Sequence, residues 1–273
     1  MKISRKTKEI IKKLLTRVYY LKSYCSQFLL EIVLGQLKKI TYKSVDMEFG
    51  IPNEVCLWRV RTFSTKEPDT LNWIGEMSQD SIFWDIGANI GIYSIYAAKL
   101  KNCQVFAFEP SVFNLDQLAR NISLNKVEKN IAICPIALNN KIGINTFKLS
   151  SLTMGGALSS FAHNVDANGD YLGAMLEYRT LGVTLDCLNQ FFDIPKPNYI
   201  KIDVDGIEHL ILSGGVNILR EVNSVLVELP GVWQEQSRDA KRYLQDAGLR
   251  LVSSHSYDPD LNPNASANEI WAR

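Results

Sequence analysis

Histidine is scarce in this chain. There are three, His163, His209 and His255, and no two are close in sequence; a lone histidine of this kind is more often structural than catalytic. The five cysteines, Cys25, Cys56, Cys103, Cys134 and Cys187, are odd in number, scattered and free of any C-x-x-C pair. That pattern argues against a disulfide framework and against a zinc site, and it fits reduced thiols in a cytoplasmic setting. Nothing approaches the ~18 apolar residues of a membrane span. The apolar stretches near the N-terminus are broken by Arg17, Lys22 and Glu31, so no signal peptide is expected. There are no internal repeats.

What is present centres on FWDIGANIGIYS, Phe83 to Ser94. An apolar run ends on Asp85, a glycine turn follows, and Ile92 opens a helical pattern. This is a buried strand, a tight turn and a helix, the first unit of a nucleotide-type βαβ fold. A dinucleotide site wants G-x-G-x-x-G, but Asn89 and Ile92 stand at the second and third glycine positions. A phosphate loop wants Gly-Lys-Ser/Thr, and no lysine follows Gly91. The remaining pattern, Asp85-x-Gly87-x-Asn89-x-Gly91, carries no mark of phosphate binding. Eighteen residues past Gly91, the strand Val105–Phe108 ends on Glu109. A carboxylate there suits a pair of ribose hydroxyls. A ribose binder without a phosphate loop points to S-adenosyl-L-methionine.

A third stretch, YIKIDVDGIEHLILSGG (Tyr199 to Gly215), is again a buried strand ending in acids: Asp203, then Asp205 and Glu208. Together with IGANIGIYS, FEP, LARNISLN (Leu118 to Asn125) and VTLDCL (Val183 to Leu188), in this order, it resembles the FkbM family of S-adenosylmethionine-dependent methyltransferases from about Trp84 to Leu251. The resemblance implies an α/β, Rossmann-like class I methyltransferase fold. Its sheet is mostly parallel and seven-stranded with an antiparallel edge strand, here preceded by an N-terminal helical extension. It also implies a cofactor loop of Asp85, Gly87, Asn89 and Gly91, with Glu109 on the ribose and Pro135-Ile136-Ala137 at the adenine.

Charge is unevenly placed. Residues 1–43 hold 11 Lys/Arg against 2 Asp/Glu, a net +9, and the remaining 230 hold 19 against 27, a net −8. Residues 1–40 read as one helix with an apolar stripe of Ile11, Leu14, Val18, Leu21, Cys25, Phe28 and Ile32. The stripe can pack on the body, pair with a second subunit or lie on a membrane surface. Residues 44–78 read as a cap, with Val55–Phe63 strand-like and Thr65 to Met77 helical. The methyltransferase domain is expected over 79–273. Within it, 150–180 is polar, glycine-bearing and without period, which marks a substrate lid or a disordered insert, the lid being the favoured reading.

Acceptor chemistry is read from the third stretch. Base-modifying amino-methyltransferases carry an Asn/Asp-Pro-Pro-aromatic motif at the corresponding strand end; here the residues are Asp203-Val204-Asp205-Gly206. A nucleic-acid acceptor is therefore not expected. A hydroxyl acceptor, on a sugar, glycan or secondary metabolite, needs its proton removed. Asp203 is expected to face the methyl, with Asp205 or Glu208 assisting; helix capping is the competing role for Asp205 and Glu208. The same carboxylates could alternatively hold a divalent metal.

Overall fold

The computed structural model describes residues 5–164, 171–256 and 266–273. The chain opens with α1 (Arg5–Leu34), then a hairpin of β1 (Leu37–Tyr42) and β2 (Val45–Gly50). The helices α2 (Glu54–Arg61), α3 (Phe63–Lys66) and α4 (Pro68–Glu76) complete the cap. The core follows as β3 (Ile82–Ile86), α5 (Ile92–Lys101), β4 (Gln104–Phe108), α6 (Val112–Asn125) and β5 (Ile131–Cys134). Next come β6 (Ala137–Leu138), β7 (Gly143–Leu149), β8 (Ser159–Phe161) and β9 (Leu176–Val183). The core resumes with α7 (Leu185–Phe192), β10 (Tyr199–Ile202), α8 (Glu208–Ser213), α9 (Val216–Leu219) and β11 (Ser224–Leu229). It closes with α10 (Gln234–Asp246), β12 (Arg250–Ser256) and β13 (Ala267–Ala272).

The central sheet has seven strands in the order β12-β13-β11-β10-β3-β4-β5. β10, β11, β3, β4 and β5 run parallel, and β13 is antiparallel to both neighbours. The antiparallel strand is thus the last in the chain, and it sits one place in from the edge. Strand residues alternate between two apolar layers. Trp84, Ile86, Phe106 and Phe108 face one layer with α7, α8 and α10, while Phe83, Val105 and Ala107 face the other with α4, α5 and α6. Strand order reverses between β3 and β10. In open α/β sheets this switch point opens the crevice that takes the ligand.

Three expectations are corrected. The N-terminal helix stops at Leu34, and 37–42 is a strand paired with β2. Val55–Phe63 is helical: Asn53 caps α2 by accepting from the Cys56 amide at 2.8 Å, and Cys56 and Val60, one turn apart, take the buried side. β-branched and aromatic residues in this stretch imitate a strand. The stretch 150–180 is not featureless either. It contains β8 and the start of β9, where burial alternates along Leu176–Leu181. These strands join β6 and β7 in a second sheet of order β6-β9-β7-β8. Only 150–158 remains an irregular strap before β8; the predicted Asn168 and Gly169 lie outside the described residues.

Every residue from Lys12 to Leu30 on α1 is exposed, including Leu14, Val18, Leu21 and Phe28 of the apolar stripe. Packing of the stripe on the body is thereby overturned. Among the described residues, no helix is long and apolar enough to cross a membrane.

Candidate active site

The site begins at the end of β3. Gly87 has φ +82°, and a Cβ there would lie 1.9 Å from the backbone oxygen of Asp203. Only glycine lets the β3 and β10 ends approach this closely. The loop is fixed by the Gly87 and Ala88 amides, which donate to the Phe108 carbonyl at 3.0 and 3.1 Å, while the Asp203 amide donates to Ile86. Gly91, at φ +83°, precedes α5 and packs against Leu118.

Glu109 follows β4 and is buried. One carboxyl oxygen accepts from the Asn89 amide at 2.9 Å and the other from the Ser111 amide at 2.7 Å. Burial nonetheless pushes its carboxyl up to about 7. The Asn114 side chain also hydrogen-bonds it, and of the roughly four acceptor positions of a carboxylate at least one stays open to a ribose hydroxyl. Glu109, Gly87 and Asn89 line a cleft of about 540 Å³ with Phe108, Ala137 and Phe161. Its apolar walls come from the main sheet and the second sheet. A flat, uncharged adenosyl group fits this chemistry, with Glu109 at the ribose and Ala137 beside the ring.

A second cleft, of about 430 Å³, shares Gly87, Asn89 and Asp203 with the first and continues under the cap. Its lining is ionic, with Arg59, Lys66, Glu67, Tyr93 and Lys201. Lys201 lies within β10, almost fully buried, in register beside Asp85 on β3. Its ammonium donates to Asp203 at 2.6 Å and sits 5.2 Å from the Tyr93 ring centre. Its attraction to Asp203 and Asp85 outweighs burial and holds it charged. Asp203 in turn is held well below the usual carboxylate range by Lys201, against the opposing effect of burial. Glu228, on β11, hydrogen-bonds Asp203; burial and the Asp203 charge push it far upward, so it is the neutral partner. Glu67 accepts from Lys66 at 2.9 Å and Thr70 at 3.1 Å.

Asp205 has φ +62° and lines the first cleft. Its Oδ2 accepts from the Leu158 and Ser159 amides at 2.7 and 3.4 Å, leaving Oδ1 without a protein partner among the described residues. Burial, then the Asp203 charge, raises its carboxyl to about 6. The strap is tied down elsewhere too. The Asn89 side-chain amide donates to the Gly156 carbonyl at 2.8 Å, Asn114 accepts from the Gly155 amide at 2.9 Å, and Arg59 Nε donates to the Gly155 carbonyl at 2.6 Å.

The structure therefore brings Gly87, Asn89, Glu109, Ala137, Asp203 and Asp205 around one crevice. It keeps Gly91, Asp85 and Glu208 out of the lining, Gly91 lying at the start of α5 against Leu118. Asp85 is buried beneath the loop, where Oδ2 accepts from Ser94 and Oδ1 has no partner; its position under the glycines makes it a support of the loop. Glu208 is buried at the start of α8, accepting from the Val204 and Gly206 amides at 3.3 and 3.1 Å and from Gln236. These amides precede α8, so Glu208 ties down the 204–206 turn instead of capping the helix. Among the described residues no three His, Cys, Asp or Glu side chains converge as a metal-binding group; the charge beside Asp203 is the Lys201 ammonium.

Lys201, Arg59, Lys66 and Glu67 were not singled out from sequence. A lysine inside the apolar run Tyr199–Ile202 is a readable anomaly, because a buried charge in a strand needs partners. The three cap residues carry no local signal.

The hexuronic acid methyltransferase AglP of Haloferax volcanii is 29% identical over 218 residues, covering 80% of each chain. The methyltransferase sdnD of Sordaria araneosa is 25% identical over 162 residues, covering 52% of this chain and 62% of sdnD. Among solved structures, M. jannaschii TYW2 in complex with AdoMet superposes with a TM-score of 0.47 at 11% identity, covering 86% of this chain and 84% of TYW2. The methyltransferase FkbM domain model matches residues 85–251, more than half the chain and spanning both acid-bearing strand ends, so this protein belongs to the FkbM methyltransferase family.

Proposed function

We propose that the protein methylates a hydroxyl group of a sugar, with a sugar acid or glycan as the leading acceptor, using S-adenosyl-L-methionine. The observation that carries this reading is the meeting of an apolar-walled cleft bearing Glu109 and Asp205 with a more ionic one bearing Arg59 and Lys201, Asp203 bordering both, on the switch point between β3 and β10. The name of AglP supports the acceptor class. When bound, the cofactor supplies a methyl group already activated on a sulfonium.

The chain's own residues divide the remaining work. Glu109 fixes the ribose hydroxyls, and Ala137, Phe108 and Phe161 enclose the adenine and exclude water. Asp203 is a permanent anion, locked by Lys201 and a neutral Glu228, and is poorly suited to take up a proton. Asp205 is better matched. Its Oδ1 has no protein partner among the described residues, it borders the crevice, and its carboxyl near 6 allows it to receive the hydroxyl proton at neutral pH. Glu208 holds the 204–206 turn that presents Asp205. Alignment of the acceptor supplies the rest of the acceleration.

The test is calorimetry with S-adenosylmethionine and S-adenosylhomocysteine, NAD as control and Glu109→Ala alongside, followed by labelled-methyl transfer to hexuronic acids and neutral hexoses. Micromolar adenosyl binding, lost in the variant, and label on a sugar oxygen are expected. A folded protein that binds neither adenosyl ligand overturns the reading.

A further inference from the structure

Among the described residues that line the second cleft, Arg59 is a cation to which methyl transfer as described gives no task. Arg59 rises from α2 into the second cleft, half-buried. Its Nε is committed to the Gly155 carbonyl, which fixes the guanidinium against the strap. Its two terminal nitrogens make no hydrogen bond or ion pair with any described residue. The acids within reach are engaged elsewhere. Glu67 is held by Lys66 and Thr70, Asp203 by Lys201, and Asp205 by the strap amides. Arg59 is close enough to Asp205 and Tyr93 to act on both electrostatically, so it borders the reacting centre. A guanidinium held by Nε with its terminal donors open is preorganised for a planar, two-oxygen anion.

We infer that Arg59 is a carboxylate receptor, taking a carboxylate of a bound ligand through its terminal nitrogens in the second cleft. This rests on the methyltransferase reading above for its choice of ligands. Two sources share the chemistry: the methionyl carboxylate of the cofactor and the carboxylate of a hexuronate acceptor. The cleft suits either, since Arg59 shares its lining with the loop residues Gly87 and Asn89 and with Asp203.

The experiment maps phenylglyoxal modification of Arg59 by peptide mass spectrometry in the intact protein. Four ligands are added in turn: S-adenosylhomocysteine, methylthioadenosine (which lacks the amino-acid tail), glucuronate and glucose. Protection by S-adenosylhomocysteine but not methylthioadenosine assigns the cofactor carboxylate. Protection by glucuronate but not glucose assigns the acceptor. Arg59→Gln should then weaken S-adenosylhomocysteine at least tenfold in the first case, with methylthioadenosine affinity unchanged. In the second it should raise KM for glucuronate at least tenfold, with S-adenosylhomocysteine affinity unchanged. Modification slowed by neither carboxylate ligand overturns the inference, and so do effects below twofold in a variant that still binds methylthioadenosine like the wild type. Methylthioadenosine binding to the wild type separates this failure from failure of the methyltransferase reading itself.

Discussion

The two clefts share Gly87, Asn89 and Asp203, yet they treat carboxyl groups in opposite ways. In the first, Glu109 is buried and Asp205 partly buried among apolar walls, with backbone amides and the Asn114 side chain as donors, and their carboxyls rise to about 7 and about 6. In the second, Asp203 is also enclosed, but Lys201 lies 2.6 Å away and its carboxyl falls. Burial is common to both; the countercharge decides the sign. One cleft is thus made for an uncharged ring and a diol, and the other for charged groups.

The comparison can be broken most severely at the shared glycine. Gly87→Ala places a Cβ against the Asp203 carbonyl at a φ unfavourable to alanine, so both clefts should collapse together. Adenosyl binding is expected to fall more than 100-fold in calorimetry, with circular dichroism reporting whether the body persists. A smaller, one-sided break is Lys201→Met. It leaves Asp203 and Asp85 without their cation, which should lower stability by about 3–5 kcal/mol in urea unfolding. Comparable stability would show that Asp203 is not held by that pair.

Acidity sharpens the contrast. The base must be ionised to take a proton, so kcat should rise with pH through about 6 and then level, following Asp205. Asp205→Asn should abolish that limb along with most turnover. The smallest expected effect is on stability without ligand. Glu109, Asp205 and Glu208 have folded values raised above their ordinary ones. Their contribution is complete below the ordinary carboxylate range and is lost as pH rises through about 6 to 7. Asp203, being lowered, contributes in the opposite sense, and it is lost only in strong acid. Urea midpoints should therefore slip downward between pH 5 and 7.5, and Glu109→Gln should flatten the slope.

The strand-turn-helix at Phe83–Ser94 was legible because apolar runs, a glycine turn and a terminal acid are local signals. β3 and β10 fall on the expected residues for that reason. Glu109 was legible for the same reason, by its place at a strand end. The cap was misread at Val55–Phe63, where the decisive facts are a cap bond from Asn53 and burial of Cys56 and Val60 against distant helices. Glu208 was grouped with the reacting acids, and Asp85 with the cofactor loop, because sequence gives proximity along the chain but not the direction of a side chain. Arg59 was invisible for a different reason. Its partner, Gly155, is far along the chain, and only the folded strap brings them together.

That strap has a kinetic consequence. Side chains from the glycine loop, α2, α6 and the turn after β10 all hold residues 155–159, and Gly156 and Ala157 form part of the wall of the first cleft. A molecule seated there leaves only when these bonds open together, so its residence time is governed by the strap's fluctuation as well as by its own contacts. Spent cofactor would then depart more slowly than the methyl moves. The signature is a burst of methylated product in the first turnover, followed by a slower steady rate that loosening the Asn114 tie would raise.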